Sequence, residues 1–104
     1  MKLNDYKLIN WTKKITRQKK VGDHKILLLS LDRNIGPPLE GRKNLLAIDK
    51  DDNILWIADL PTEGYDSYYE MKYEDGVIKA RSSNSHIAEI DPETGKILKK
   101  YMVK

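Results

Sequence analysis

Turn-forming residues recur about every ten positions along this chain, and that spacing constrains the fold more than any other feature. The short segments between the turns are rich in Ile, Leu, Val and Tyr, which favour β-strands. No stretch shows a convincing amphipathic helical pattern. The turns fall at residues 22–23, 49–53, 60–64, 74–76, 82–85 and 91–95. The pattern therefore predicts an all-β fold, an antiparallel meander of about eight short strands.

The clearest hairpin is the stretch of residues 44–60. Two apolar runs, Leu45–Ile48 and residues 54–58, flank a polar segment at residues 49–53. Asp and Asn suit a tight turn because their side chains accept hydrogen bonds from nearby backbone N–H groups. We therefore expect two antiparallel strands here, with Trp56 as an interior anchor.

Residues 26–31 are apolar on both faces, which is typical of a central strand that is covered on both sides. Residues 54–58 show the same property, so two packed layers are predicted. We expect a small sandwich or half-barrel within one chain, with dimerisation as the alternative. The opening segment, residues 6–15, is compatible with an edge strand or a short helix, and we predict the strand.

Part of the chain is echoed 42 residues later, with one extra residue in the second turn: Ile48-Asp49 followed by Ile54-Leu55 recurs as Ile90-Asp91 followed by Ile97-Leu98. Forty to fifty residues is about the length of a four-stranded propeller blade. The repeat predicts two blade-like units.

The second copy reads Ile90-Asp91-Pro92-Glu93-Thr94-Gly95-Lys96-Ile97-Leu98. It resembles the turn between two strands of a quinoprotein-type propeller blade, in which an Asp opens the turn and Thr-Gly-Lys closes it. An aromatic residue often follows in that family. Trp56 holds this place in the first copy, whereas Lys99 and Lys100 stand there in the second. Because two blades cannot close a propeller, we expect the two units to pack on each other.

The charge of the chain is unevenly distributed, although the net charge is only +3. Residues 1–44 carry eleven Lys and Arg against four acids, residues 45–95 carry four against twelve, and residues 96–104 add four lysines. Such blocks indicate charged partners. The chain has no cysteine, no apolar signal at its start and no apolar run near the ~20 residues of a membrane span. We expect one cytoplasmic domain over residues 1–104.

Patterns that would indicate catalysis or metal binding are weak. Residues 36–43 nearly match a phosphate-binding loop, but two prolines remove N–H donors and the lysine lies one place late. Residues 49–53 start like a calcium loop, but Leu60 stands where the bidentate acid belongs. The two histidines, His24 and His86, lie in no recognised motif. We predict a non-enzymatic protein without metal or cofactor.

The segment of residues 59–76 combines acids with tyrosines. Tyrosine is enriched in protein interfaces, and clustered acids steer association with a basic partner. Strict alternation would place Tyr65, Tyr69 and Tyr73 on an inward face and Tyr68 on the charged face. The predicted partner-binding residues are Asp59, Glu63, Asp66, Tyr68, Glu70, Glu74 and Asp75.

Residues 13–20 form a basic segment that is the candidate for nucleic-acid binding. Lys and Arg pair with phosphates, whereas the same residues on an edge strand would discourage aggregation between sheets. Most aromatic residues lie elsewhere in the sequence, so no platform for base stacking is evident here. The residues concerned are Lys13, Lys14, Arg17, Lys19 and Lys20.

These features together favour a protein-binding module. In size and composition the chain is similar to immunity proteins of bacterial contact-dependent growth inhibition systems. This resemblance implies a small cytoplasmic inhibitor that binds and neutralises a cognate toxin, here a basic nuclease. The alternative is a nucleic-acid-binding β domain that uses residues 13–20, and a third hypothesis is a propeller-like module for a small ligand.

Overall fold

Eight strands and one short helix make up the part of the chain that the structure describes. The structure, a computed structural model, describes residues 1–9, 12–31, 43–63 and 65–103. The helix α1 spans Leu3–Ile9, and the strands are β1 Thr12–Val21, β2 His24–Leu31, β3 Leu45–Ile48, β4 Ile54–Ile57, β5 Tyr68–Glu74, β6 Val77–Ser82, β7 His86–Ile90 and β8 Ile97–Met102. The predicted all-β class is confirmed. The loop-like segment of residues 36–43 lies, except for Lys43, outside the described residues.

The strands form two four-stranded antiparallel sheets in which neighbours in sequence are also neighbours in space. Sheet 1 has the order β1-β2-β3-β4 and sheet 2 has the order β5-β6-β7-β8. Neither sheet closes into a barrel among the described strands. The predicted antiparallel meander is confirmed, and each sheet has the strand number and order of a blade-like unit.

One apolar core lies between the two sheets. It is built from buried residues of both sheets, namely Ile26, Leu28, Leu45, Ala47, Trp56, Ala58, Tyr68, Met71, Ile78, Ala80, Ala88 and Ile90. The indole Nε1 of Trp56 donates a hydrogen bond to the carbonyl oxygen of Pro92 at 2.9 Å, which links β4 to the β7–β8 turn. Trp56 is therefore the interior anchor that the sequence predicts.

The helix α1 covers the opposite face of sheet 1. Leu3 and Tyr6 are three positions apart, so they lie on one side of the helix, and both are buried. They pack on a second apolar cluster from β2 and β3, which contains Leu27, Leu29, Leu46 and Ile48. Within the described ranges, no helix has the length and apolarity that crossing a membrane requires.

The prediction of a strand over residues 6–15 is wrong for its first half. Helix α1 ends at Ile9 and β1 begins at Thr12. A helix of seven residues is too short to be stable alone or to show a clear period, so its stability comes from the face that it covers. The molecule therefore has three layers, in the order α1, sheet 1 and sheet 2, rather than the two that the sequence required.

Turns opened by an aspartate lie at the same place in both sheets, between the third and fourth strands. The Asp49 carboxylate accepts a hydrogen bond from the N–H of Asp51 at 2.9 Å. The Asp91 carboxylate accepts one from the N–H of Glu93, also at 2.9 Å. Both contacts reach two residues along the chain, as in an Asx turn. The predicted turn at Asp49 is confirmed.

Candidate functional site

A β-bulge at the start of β5 reverses the predicted exposure of Tyr68 and Tyr69. The register of β5 against β6 shifts between Tyr68 and Glu70, so the alternation breaks at that point. Tyr68 is 2% exposed, whereas Tyr69 is 53% exposed and Tyr65 is 64% exposed. The prediction that Tyr68 lies on the charged outer face, with Tyr65 and Tyr69 inward, is therefore wrong.

Tyr68 is a structural residue. Its ring belongs to the core between the sheets, and its hydroxyl donates a hydrogen bond to the carbonyl oxygen of Asp59 at 2.8 Å. Burial raises the pKa of Tyr68 well above its usual value, and the carboxylates of Asp66 and Asp59 raise that pKa further. Tyr68 thus holds the start of β5 against the connection from β4 and offers no surface to a partner.

Asn44 joins the two sheets, and the sequence did not predict this role. Its buried amide nitrogen donates to the carbonyl oxygens of Leu29 at 2.8 Å and of Tyr68 at 2.7 Å. Its amide oxygen accepts from the N–H of Tyr68 at 2.9 Å. An amide can donate and accept together, so it pairs with the backbone of β5 as another strand would. The only signal in the sequence is a polar residue directly before the apolar run of β3.

Asp66 is also structural, with only 2% of its surface exposed. Its carboxylate accepts hydrogen bonds from the hydroxyl of Thr62 at 2.6 Å, from the N–H of Ser67 at 2.9 Å and from the N–H of Asn84 at 3.1 Å. These contacts tie the β4–β5 connection to the β6–β7 turn. The predicted place of Asp66 on a partner-binding surface is wrong, because its carboxylate is used to organise this loop.

Two of the predicted acids lie at the surface but are already paired with lysines. The carboxylate oxygens of Glu74 lie 3.0 Å from the Nζ of Lys79 and 3.2 Å from the Nζ of Lys72. Hydrogen bonds from these two ammonium groups lower the pKa of Glu74, and the bond from Lys79 has the larger effect. Asp59 lies 2.9 Å from Lys43. Such exposed pairs contribute little to stability, but they reduce the negative charge that these acids offer to a partner.

The remaining predicted acids, Glu63, Glu70 and Asp75, are exposed, and none of the three forms a salt bridge among the described residues. Glu63 and Glu70 flank the two exposed tyrosines, and we call the four residues Glu63, Tyr65, Tyr69 and Glu70 the 63–70 surface. Four residues of extended chain span at most about 14 Å. One partner can therefore contact both tyrosines.

The predicted basic segment lies on β1, at the edge of sheet 1. Four of its residues, Lys14, Arg17, Lys19 and Lys20, are exposed. Lys13 lies in β1, and its side chain is outside the part that the structure describes. The segment thus has the edge position at which lysines discourage association between sheets.

The charges of β1 divide between the two faces of sheet 1. Arg17 and Lys19 lie opposite Leu28 and Ile26 of β2, which belong to the core between the sheets, so both cations face sheet 2. Lys20 is the next residue and lies on the α1 side, because side chains alternate along a strand. The predicted residues therefore do not form one basic patch.

An open cavity of about 230 Å³ lies between residues of the edge strands β1 and β5, and we call it the β1–β5 crevice. Its rim carries the cations Arg17 and Lys19, and Lys72 of β5 also lines it. Its floor and wall are apolar or aromatic, with Ile26, Met71, Ile78 and Tyr73. Tyr73 is 39% exposed, so the crevice presents an aromatic ring beside basic side chains that are far from it in sequence.

A larger open groove of about 760 Å³ lies between the β1–β2 and β3–β4 turns. Residues of both charges line it, including Lys20, Lys25 and Asp51. The Asp49 carboxylate is used by its own turn, and the backbone N–H of Asn53 makes the largest contribution to lowering its pKa. Among the described residues, no group of three or more His, Asp or Glu is placed to hold a metal ion.

Residues 3–102 match the model of one protein family, a domain of unknown function designated DUF7957. The match covers nearly the whole chain, so the chain belongs to that family. The searches of curated proteins and of solved structures gave no match.

Proposed function

We propose that this member of the DUF7957 family is a non-enzymatic protein-binding module whose partner docks on the 63–70 surface. The observation that carries the proposal is the exposure of Tyr65 and Tyr69 next to the exposed acids Glu63 and Glu70. Tyrosine supplies a large contact area with few rotatable bonds, and it is enriched among the residues that dominate binding energy at interfaces.

The charge of this surface favours a basic partner. Glu63 and Glu70 form no salt bridge among the described residues, although Arg81 stands opposite Glu70 on β6, and both carboxylates are exposed to the cations of a partner. Complementary charge raises association rates and suppresses binding of wrong partners. Asp75, in the turn that follows β5, adds a further exposed negative charge beyond the end of this edge strand.

The concrete form of the proposal is an immunity protein that acts in the bacterial cytoplasm and neutralises a cognate nuclease toxin. A nuclease must present a basic surface to its nucleic-acid substrate, and an acidic tyrosine-containing surface is suited to cover it. The similarity of the chain to immunity proteins of contact-dependent growth inhibition systems, in size and composition, supports this form. Because Asn44 links the two sheets, the protein would present the 63–70 surface to its partner with little rearrangement.

The same scaffold suggests how the chain arose, and we propose that the two sheets are repeats of one blade-like unit of the quinoprotein type. The Asx turns at Asp49 and Asp91, each between the third and fourth strands of its sheet, support this origin. Superposition of the two sheets in an experimental structure should align these two aspartates. A superposition that aligned other strands better would contradict the repeat.

The experiment that tests the function begins with the gene immediately upstream. If this gene encodes a toxin domain, the toxin domain and this chain are produced together in the same cells. We expect the two proteins to form a stable complex, and we expect this chain to restore the growth of cells that the toxin domain inhibits. Replacing Tyr69 and Glu70 together, as Tyr69→Ala with Glu70→Lys, should weaken the complex by about 100-fold or more, as expected for loss of an interface anchor. Isothermal titration calorimetry measures the affinity.

The matched control is Glu93→Lys, which reverses an exposed acid on the β7–β8 turn. It should leave the affinity within about threefold, since charges outside a contact act mainly on association rate. Asp66 is left intact, because replacing it would disturb the loop rather than the surface. Unchanged affinity in the Tyr69/Glu70 double variant, with an unchanged circular dichroism spectrum, would refute docking on the 63–70 surface.

A further inference from the structure

We infer that the β1–β5 crevice binds single-stranded nucleic acid, with one base seated against Tyr73 and neighbouring phosphates paired with Arg17 and Lys19. This site is separate from the 63–70 surface. The crevice is formed only where the edge strands β1 and β5 meet. Neither the basic segment of β1 nor Tyr73 of β5 therefore indicates the site by itself.

The interior of the crevice suits one flat ring. Ile26 and Ile78 form a floor that is almost fully buried, and Met71 adds a thioether that contacts aromatic rings favourably. The volume of about 230 Å³ is below the ~300–1,000 Å³ of sites for drug-sized ligands. A single base fits such a space, with the rest of the strand outside it.

The rim of the crevice suits an anion. Arg17 and Lys19 are two positions apart on the same face of β1, which separates them by about 7 Å along the strand. No Asp or Glu is among the described residues that line the crevice. Lys72 also lines the crevice, but it lies on the outer face of sheet 2 and its ammonium is 3.2 Å from the Glu74 carboxylate, so Arg17 and Lys19 are the cations available to phosphates.

An unpaired strand satisfies both parts of the site at once. Base–aromatic stacking requires an exposed base face, which a duplex keeps within its own stack. An acidic peptide would pair with Arg17 and Lys19 but would leave the ring-sized interior without a matching group. The combination of a ring site with cations on one side is typical of proteins that bind single strands without sequence preference.

The test is fluorescence anisotropy with a labelled twelve-nucleotide oligouridine and the full chain. Lys19→Glu should weaken binding by about tenfold or more, because it reverses a phosphate contact. Lys20→Glu is the matched control, since it makes the same charge change at the next residue on the opposite face. It should weaken binding less than about threefold. Equal weakening by the two variants would overturn the crevice as the site.

The aromatic contact is tested in the same assay. Tyr73→Ala should weaken binding by about 5- to 150-fold, whereas Tyr73→Phe should keep the affinity, because the ring face rather than the hydroxyl carries stacking. Tyr69→Ala removes an exposed tyrosine outside the crevice and should have no effect. Unchanged binding by Tyr73→Ala would overturn the proposal.

Salt dependence and competitors complete the test. Two phosphate contacts predict a slope of log affinity against log salt of about −1.4, and Lys19→Glu should reduce its magnitude by about 0.7. A duplex of equal length and polyglutamate should compete poorly. Competition by either as strong as by the unlabelled single strand would overturn the proposal in favour of a general polyanion site. Arg17→Gln serves as a second variant if Lys19→Glu alters the circular dichroism spectrum.

Discussion

At the scale of single residues, Gly95 meets two independent demands at one position. Its φ of +76° lies in the left-handed region, which costs other residues about 1–2 kcal/mol. A Cβ at this position would also lie 2.5 Å from the Trp56 ring. The left-handed backbone of the β7–β8 turn requires glycine at this position, and so does the close approach of the Trp56 ring.

We predict that Gly95→Ala lowers the free energy of unfolding by about 2–5 kcal/mol, the sum of backbone strain and overpacking. Gly22→Ala is the matched control, because Gly22 has a φ of +60° and a Cβ at its position would meet no atom within 4 Å. It should cost only about 1–2 kcal/mol. Urea unfolding followed by circular dichroism measures both, and equal losses would show that the contact with Trp56 does not constrain this turn.

Three buried polar or amphipathic side chains show where residue-level prediction from sequence fails. Asp66 and Tyr68 were predicted at the surface, and Asn44 has a side chain that is usually exposed. Each is buried because it bonds to backbone that is distant in the sequence. Nothing in a local pattern identifies the partner in advance, so the candidate site lost two of its predicted members.

At the scale of elements, the patterns of β3 and β6 explain why α1 covers sheet 1 rather than sheet 2. All four residues of β3 are buried, whereas β6 alternates between buried and half-buried residues. The outer face of sheet 2 carries a cross-strand row of charges, Lys72, Lys79, Glu89 and Lys99. That face is suited to water, while the outer face of sheet 1 must be covered.

We predict that Leu3→Ala lowers the free energy of unfolding by about 2–5 kcal/mol, because Leu3 fills the contact between α1 and sheet 1. Asn4→Ala changes the next residue of the same helix, which is exposed, and should alter stability by less than about 0.5 kcal/mol. Thermal or urea unfolding measures the difference. A loss below about 1 kcal/mol in Leu3→Ala would show that α1 frays without affecting the core.

At the scale of the whole molecule, two buried tyrosines make the fold sensitive to alkaline pH. Tyr6 lies between α1 and sheet 1 and Tyr68 lies between the sheets. Burial raises the pKa of Tyr6 to about 12, and the pKa of Tyr68 is also raised. An unfolded tyrosine ionises near ~10. Burial therefore favours the neutral phenol of both tyrosines. Their contribution to the free energy of unfolding is complete below the pKa that tyrosine has in the unfolded chain.

We predict that the free energy of unfolding falls between pH 10 and about 12, by up to about 1.4 kcal/mol per pH unit for each buried tyrosine. The unfolded chain binds fewer protons than the folded chain in this range, so stability decreases as pH rises. Tyr6→Phe should flatten the curve, whereas Tyr69→Phe, at an exposed position, should not. Urea unfolding at half-unit pH steps checks this, and identical curves would contradict it.

The positions of most strands and turns, from β2 onwards, were determined by the sequence alone. Side-chain alternation and the chemistry of turns act over a few neighbouring residues, which is why the turn at Asp49, the core position of Trp56 and the all-β meander were all predictable. The apolar faces of residues 26–31 likewise required a cover on both sides, although they did not say which segment would supply it.

Only the tertiary structure decided the helix α1, the bulge at Tyr69 and the meeting of β1 with β5. Each depends on contacts between segments that are not adjacent in the chain. The helix α1 is stabilised by the face of sheet 1 that it covers, and the bulge is set by the register of β5 against β6. The crevice forms only when the edges of the two sheets pack together. Local patterns carry no information about such contacts. The residues available to a partner were therefore known only after both sheets had packed.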